Sequence, residues 1–319
     1  MNNIISTRIR FARNIKGKKF SGKMTEQEKR ELLLQIKEAA KNVLENTDFI
    51  DMEQLNELRA GSLVEQHLIS PEFVSDCKNS GLLLSRDNTV SIMINEEDHL
   101  RIQVIEKGYN IEKAYTKALG VEKALGSVLE FSYSDDFGYL TQCPSNLGTA
   151  MRASVMIHLP ALTESGHINK LPSLLSQYRL TIRGLYGEGS RSAASIYQIS
   201  NQASLGVTEE EIIERLEEVI KTVEESENNL RARLSGNITV QDRIFRSYGA
   251  LCYARMMTSE EATRLIGDVR FGAEAEILDI DPAMLDKLMI EIQPYSVALT
   301  GTDNRDIKRA EMIRTAIKK

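Results

Sequence analysis

The segment TEEEIIERLEEVIKTVEESENNLRARL, which begins at Thr208, limits the architecture of this chain more than any other stretch. Thr208 followed three residues later by Glu211 is a capping-box signature, and Ile212, Leu216, Val219, Ile220 and Val223 recur at helical spacing. Nothing beyond it alternates with the period of a strand. Further helices are expected over 241–257, 259–269, 282–292 and 303–317, the third capped by Asp281 with Pro282 in its first position. The upstream pattern is different. Residues 25–46 read as one amphipathic helix, with Thr25 and Glu28 as capping box and Leu32, Leu33, Ile36, Ala40, Val43 and Leu44 on one face. TVSIMIN (89–95), GYLTQC (138–143), RLTIRGLY (179–186) and SIYQISN (195–201) read as strands. The run RASVMIHLPAL, from Arg152, reads as helical, which gives a strand, loop and helix around TQCPSNLGTAMRAS. A mixed α/β part up to about residue 230 and an all-helical tail are therefore expected, with no internal repeat.

Charge and cysteine usage exclude several classes. Forty basic against 46 acidic residues give a net charge of -6, which argues against nucleic acid as the main partner. Cys77, Cys143 and Cys252 are too few and too scattered for a disulfide framework or a zinc site. The N-terminus MNNIISTRIRFARN has no apolar signal region and no run approaches a membrane span, so a cytoplasmic location without membrane attachment is expected.

The usual phosphate-binding signatures are missing: neither a P-loop nor a dinucleotide glycine motif nor a protein-kinase motif set occurs. Arginines beside strand ends and turns recur instead, at Arg8, Arg10, Arg101, Arg152 and Arg183. Arg8 and Arg10 alternate with Ile9 and Phe11, so in a strand both guanidinium groups leave one face. Two like charges there repel unless an anion lies between them, and guanidinium forks match phosphate oxygens. Carboxylates form a second set: Glu96, Glu97 and Asp98 follow a strand, and Glu188 sits in the glycine-rich GEGS loop. Polar loop surface and a site for a cationic ligand or a base both explain them. Cys143 ends an apolar segment before Pro144, as an inert thiol or, beside Arg152 or a bound cation, as a thiolate.

STRIRFARN, INEEDHLRI, TQCPSNLGTAMRAS, and IRGLYGEGS followed by YQISNQ resemble the successive signatures of the ATP:guanido phosphotransferase, or phosphagen kinase, family. Within it the chain is most similar to the bacterial protein-arginine kinases, since it begins almost at the first signature and ends in a helical segment carrying RDIKRA. The resemblance implies an α+β catalytic domain over 1–230, an antiparallel sheet flanked by helices of the glutamine-synthetase-like kind. It implies a helical C-terminal domain over 231–319 that serves dimerisation and phosphoarginine binding. It further implies that Arg8, Arg10, Arg101, Arg152 and Arg183 hold the ATP phosphates. Ser6, Thr7, Ile9, Ala153, Ser154, Val155, Met156, Gly184, Leu185, Tyr186, Gly187 and Glu188 would line the nucleotide, and His67 of EQHLISP would contact it. Glu97 and Glu188 would orient the acceptor guanidinium and take its proton beside a Cys143 thiolate. Mg²⁺ would bridge phosphate oxygens without assigned protein ligands.

Departures from the family pattern are Ser145 for Thr, Ala150 for Gly after Thr149, Arg191 where an acid is usual and Ala194 where glycine is usual. In RDIKRA, Arg305 and Arg309 lie four apart on one helix face; a solvated face and an anion site are both compatible with that spacing. The resemblance favours phosphoarginine held by Arg305, Asp306 and Arg309. The activity implied is ATP-dependent phosphorylation of arginine side chains in proteins. A kinase for a free small guanidine, or a phosphoarginine-binding adaptor, are the alternatives. Implied partners are protein substrates with exposed arginines, a second copy of the chain, a zinc-binding activator protein, a heat-shock repressor and a Clp ATPase.

Overall fold

Alternation of buried and part-exposed residues from Ile4 to Arg13 is realised as a ten-residue strand, β1 (Ile4–Arg13). The computed structural model describes residues 3–185, 192 and 194–318, so Tyr186, Gly187, Glu188 and Arg191 lie outside the described residues. After β1 come α1 (Glu26–Val43), β2 (Thr47–Asp51), α2 (Glu57–Glu65) and α3 (Pro71–Ser75). Three strands, β3 (Gly81–Ser85), β4 (Val90–Ile94) and β5 (Leu100–Lys107), then precede α4 (Ile111–Gly126). A short hairpin, β6 (Tyr133–Ser134) and β7 (Gly138–Tyr139), leads to β8 (Met151–His158). Then follow α5 (Pro160–Glu164), α6 (Leu171–Gln177), β9 (Leu180–Gly184) and β10 (Ile196–Asn201). The remainder is helical: α7 (Glu209–Leu234), α8 (Ile238–Tyr253), α9 (Ser259–Glu274), α10 (Pro282–Glu291), α11 (Pro294–Ala298) and α12 (Arg305–Ile317).

Eight strands form one sheet in the order β2-β3-β4-β5-β1-β8-β10-β9. The run from β2 to β1 is antiparallel, with Ala12 opposite Arg101 and Arg10 opposite Gln103 in the β1–β5 ladder. An α+β fold with an antiparallel sheet and a helical C-terminal region is what the sequence led us to expect. Both capping boxes form: Thr25 with Glu28 opens α1, and Thr208 with Glu211 opens α7.

The structure corrects three local expectations. Met151–His158 is a strand, not a helix, because it lies inside the sheet between β1 and β10. Ala153, Val155 and Ile157 are fully buried there and alternate with Arg152 and Ser154, a period that the apolar run Val155–Ile157 obscures in the sequence. Within GYLTQC only Gly138–Tyr139 pair as a strand; Leu140 N instead donates to Ser132 O, and the chain enters a short 3-10 turn at Pro144–Asn146. Helix α8 begins at Ile238 rather than 241, because Asn237 caps it by accepting from Thr239 N.

The chain gathers into two compact units that interleave along the sequence. One comprises 6–154 and 200–216; the other comprises 1–5, 155–199 and 217–319. The core of the first includes Met52, Leu63, Phe73, Leu82 and Met93. That of the second centres on Leu251, Leu265, Ile266, Val269 and Leu288 of the C-terminal helices together with Ala194 and Ile196. Among the described residues no helix is long and apolar enough to cross a membrane.

Candidate active site

In the first unit, β1 sorts its side chains by alternation. Thr7, Ile9 and Phe11 are fully buried on one side, whereas Arg8 and Arg10 are half-buried on the other. Residues opposite one another across a ladder share a face of the sheet, so Arg101 and Gln103 of β5 belong to the side of Arg8 and Arg10. On the other flank of β1, Arg8 Nε lies 3.4 Å from Ser154 Oγ of β8. Arg152 of the same strand donates from Nη2 to Ser200 Oγ of β10 at 3.1 Å.

Four guanidinium groups are thereby gathered on one face, and the crowding lowers the proton affinity of Arg8 and Arg10. Burial, then the charges of Arg152 and Arg101, bring the Arg8 pKa down to about 10. Arg10 is pushed well below its ordinary value by burial, then by Arg8, Arg101 and Arg152, with Glu96 opposing. Arg10 Nε is also buried without a hydrogen-bond partner. An unmet buried donor costs about 1–3 kcal/mol. An anion with several acceptor oxygens relieves both the repulsion and the unmet donor, so these residues fit the phosphates of a nucleotide.

His67 follows α2 with a left-handed backbone (φ 60°). The side chain of Gln103 holds that turn, donating from Nε2 to His67 O at 2.9 Å and Leu68 O at 3.2 Å. Burial, then the Arg8 charge, lowers the imidazole pKa to about 4, so it is neutral at physiological pH.

The carboxylates lie just beyond β4. Arg101 Nη1 donates to Glu96 Oε1 at 2.6 Å, and its Nη2 lies 3.4 Å from Glu97 Oε2. Ser70 Oγ donates to Glu96 Oε1 at 2.7 Å, and Glu97 N donates to Glu96 Oε2 at 2.7 Å. Burial raises the Glu97 pKa, Asp98 and Glu96 raise it further, and Arg101 opposes them. A part-exposed carboxylate of raised proton affinity beside cations has the properties of a general base. Cys143 is a free, half-buried thiol at the start of the 3-10 turn, with Sγ 3.0 Å from Ser145 Oγ.

Not every residue marked in the sequence joins this face. The side chains of Thr7 and Ile9 are committed to the opposite side, Thr7 Oγ1 donating to Gly108 O at 2.8 Å. Ala153 of β8 is likewise fully buried, while Ser6 and Ser154 fall on the arginine side by alternation. Val155 alternates to the buried side of β8 with Ala153, whereas Met156 falls on the side of Arg152 and Ser154. Arg183, exposed on β9, Gly184 and Leu185 belong to the second unit, where Leu185 packs on the helical core. Tyr186, Gly187 and Glu188 lie outside the described residues. Sequence reasoning passed over Gln103 and Ser200, buried polar residues inside strands, and Ser70, the half-buried N-cap of α3; for the first two a polar residue inside an apolar strand was the available signal.

Two departures gain a structural meaning. Ala150 holds a left-handed backbone (φ 48°), which explains why glycine suits that position. Ala194 is a buried member of the second unit's core, packed so closely on α9 that a Cβ added at Gly267 would lie 3.0 Å from Ala194 Cα.

The RDIKRA segment opens α12, also in the second unit. Arg305 is exposed and Asp306 half-buried. Arg309 is buried: Nε donates to Ile292 O at 2.7 Å, and Nη1 donates to Met257 O at 2.9 Å and to Asp306 Oδ1 at 2.5 Å. In this state its guanidinium ties α12 to two main-chain carbonyls instead of facing solvent.

Residues 29–230 match the ATP:guanido phosphotransferase C-terminal catalytic domain. The chain belongs to the ATP:guanido phosphotransferase family. Residues 237–319 match the protein-arginine kinase McsB C-terminal domain. This guanido phosphotransferase is 40% identical over 328 residues to the protein-arginine kinase of Caldanaerobacter subterraneus, covering 99% of this chain and 97% of that one. It is 41% identical to the protein-arginine kinase of Halothermothrix orenii, covering 98% and 93%. Among solved structures it resembles the duplicated taurocyamine kinase of Schistosoma mansoni with bound transition-state-analogue components. The TM-score is 0.63 at 31% identity, over 69% of this chain and 33% of that one. A lombricine kinase gives a TM-score of 0.63 at 27% identity, over 72% and 67%.

Proposed function

We propose that this chain is a protein-arginine kinase that transfers the γ-phosphoryl group of ATP to arginine side chains of polypeptides. The observation that carries this reading is the cluster of four mutually repelling arginines bordered by Glu97, a carboxylate of raised proton affinity. Phosphoryl transfer passes through a loose, charge-rich transition state, where positioning and charge neutralisation supply most of the rate. Arg8, Arg10, Arg101 and Arg152 neutralise the phosphates, joined by Arg183, and Ser6, Ser154 and the segment 184–188 line the nucleotide. Glu97 and Glu188 turn the acceptor guanidinium in line, and Glu97 takes its proton as the N–P bond forms and the bond to ADP breaks. The Cys143 thiolate supplies negative charge beside the cationic acceptor. Mg²⁺, when bound with the nucleotide, neutralises phosphate charge; among the described residues no group of three His, Cys, Asp or Glu is arranged to hold a metal directly.

The helical part is proposed to serve homodimerisation and to bind phosphoarginine through Arg305, Asp306 and Arg309. Phosphoryl capture by both arginines requires Arg309 to leave its present partners. A cytoplasmic location is proposed. A zinc-binding activator protein, a heat-shock repressor and a Clp ATPase are proposed as partners by family membership.

Incubation with ATP, Mg²⁺ and an unfolded polypeptide tests the central reading: acid-labile phosphoarginine on the polypeptide is the expected product. ADP release that saturates with free arginine and leaves the polypeptide unmodified contradicts it.

A further inference from the structure

Asp98 and Asn14 lie outside both the arginine face and the catalytic residues, yet both are 2% exposed. Asn14 Nδ2 donates to Asp98 Oδ1 at 2.6 Å and to Leu140 O at 3.0 Å. Its Oδ1 accepts from His99 N at 2.9 Å. The same Asp98 oxygen accepts from Gln142 N at 2.8 Å. Gln142 is fixed at its far end as well, its Oε1 accepting from Gly22 N at 2.7 Å. The residue before Asp98 is Glu97, and the residue after Gln142 is Cys143. One carboxylate oxygen therefore links the loop of the base to the loop of the thiol.

Packing alone does not account for this choice of residue. Asp98 Oδ2 is buried with no hydrogen-bond partner, and a buried carboxylate half satisfied is less stable than an apolar pair of similar volume. A polar arrangement kept against stability is expected where geometry matters to chemistry.

We propose that Asp98, held by Asn14, is a positioning residue that fixes the Cys143 loop against the Glu97 loop and so sets the geometry in which the acceptor guanidinium is presented. The proposal rests on the kinase reading above. Asp98 also faces Glu97 as a charge: with Glu96 it adds to the effect of burial in raising the Glu97 pKa, against Arg101. Neighbouring His99 is kept neutral by burial, with Nδ1 accepting from Ile15 N at 3.0 Å and Nε2 donating to Lys19 O at 2.8 Å.

Three variants test this, each assayed for phosphoarginine formation, ATP binding and thermal stability. Asp98→Ala removes the shared acceptor, and kcat should fall about 10- to 100-fold, the effect of a small misplacement of reacting groups. ATP affinity should stay within about twofold, since the phosphate-holding arginines are untouched. Asp98→Asn keeps the Oδ1 acceptor and should recover most of that kcat. Its acid limb should move to lower pH, because Glu97 loses a neighbouring anion. Asn14→Ala should show the same split between kcat and ATP affinity, and carries the test with Asp98→Asn if Asp98→Ala fails to fold. A kcat near wild type in Asp98→Ala or Asn14→Ala, or ATP affinity lost in step with kcat, overturns the positioning role. So does an Asp98→Asn variant with no recovery of kcat or no shift of the acid limb. Wild-type protein that forms no phosphoarginine overturns the kinase reading and this inference with it, whereas active wild type matched by Asp98→Ala overturns the inference alone.

Discussion

Arg101 and Glu96 form a 2.6 Å ion pair, and the same Glu96 oxygen accepts the Ser70 hydroxyl at 2.7 Å. A residue of the phosphate-facing set is thus held by a carboxylate, and Glu96 is the carboxylate that counters the crowded charges around Arg10.

Glu96→Gln should therefore destabilise the nucleotide-free protein by about 1–3 kcal/mol, the penalty of leaving a partly buried charge without its counter-ion. ATP supplies the missing negative charge, so the upward shift in Tm on adding ATP should be larger in the variant than in wild type. Differential scanning fluorimetry with and without ATP checks this; an equal or smaller shift counts against the role given to Glu96.

Arg10→Met should separate stability from binding. Removing one of four repelling guanidinium groups, the one with an unpartnered buried nitrogen, should leave stability unchanged or higher. Loss of a charge-assisted bond to phosphate, worth about 1.5–3 kcal/mol, should weaken ATP binding about 10- to 100-fold. Urea denaturation and calorimetric ATP titration of the same variant give the two halves of the result.

The arginine face was legible because β1 alternates so cleanly: Ile9 and Phe11 declare one side as core, which leaves Arg8 and Arg10 together on the other. The capped helices α1 and α7 were legible for the same kind of reason, a periodic stripe opened by a capping box. Met151–His158 misled because Val155, Met156 and Ile157 form an unbroken apolar run, which hides the alternation of Met151, Ala153 and Val155 with Arg152 and Ser154. Gln103 and Ser200 offered only the signal of a polar residue inside an apolar strand, and what each one contacts is set by elements distant in sequence. Arg309 shows the reverse limit: its spacing from Arg305 was plain, but the carbonyls of Met257 and Ile292 that claim it are set by tertiary packing.

Acid should destabilise the fold partly through His67. Its native pKa is lowered from 6.5 to about 4, so as pH falls the unfolded chain takes up the proton first. The stability is fully present above 6.5 and is lost progressively down to about 4. Burial lowers the pKa values of His99 and His158 too, and both act in the same direction. His67→Gln should show a shallower fall of Tm with pH between those limits than wild type; parallel curves contradict the assignment.

Ala150→Gly should stabilise the protein by about 1 kcal/mol, since a left-handed backbone strains any residue with a Cβ. The urea midpoint should rise with an unchanged slope. An unchanged or lower midpoint indicates that the buried methyl group contributes more packing than strain.

Glu97→Gln provides the most direct test of the account. The substitution keeps the size and hydrogen-bonding reach of the side chain but removes the base, and general-base catalysis contributes about 10²- to 10⁴-fold. Phosphoarginine on an unfolded polypeptide, quantified by mass spectrometry at neutral pH, should fall by that factor while ATP affinity is retained. Phosphoarginine formed by Glu97→Gln at the wild-type rate would contradict the account.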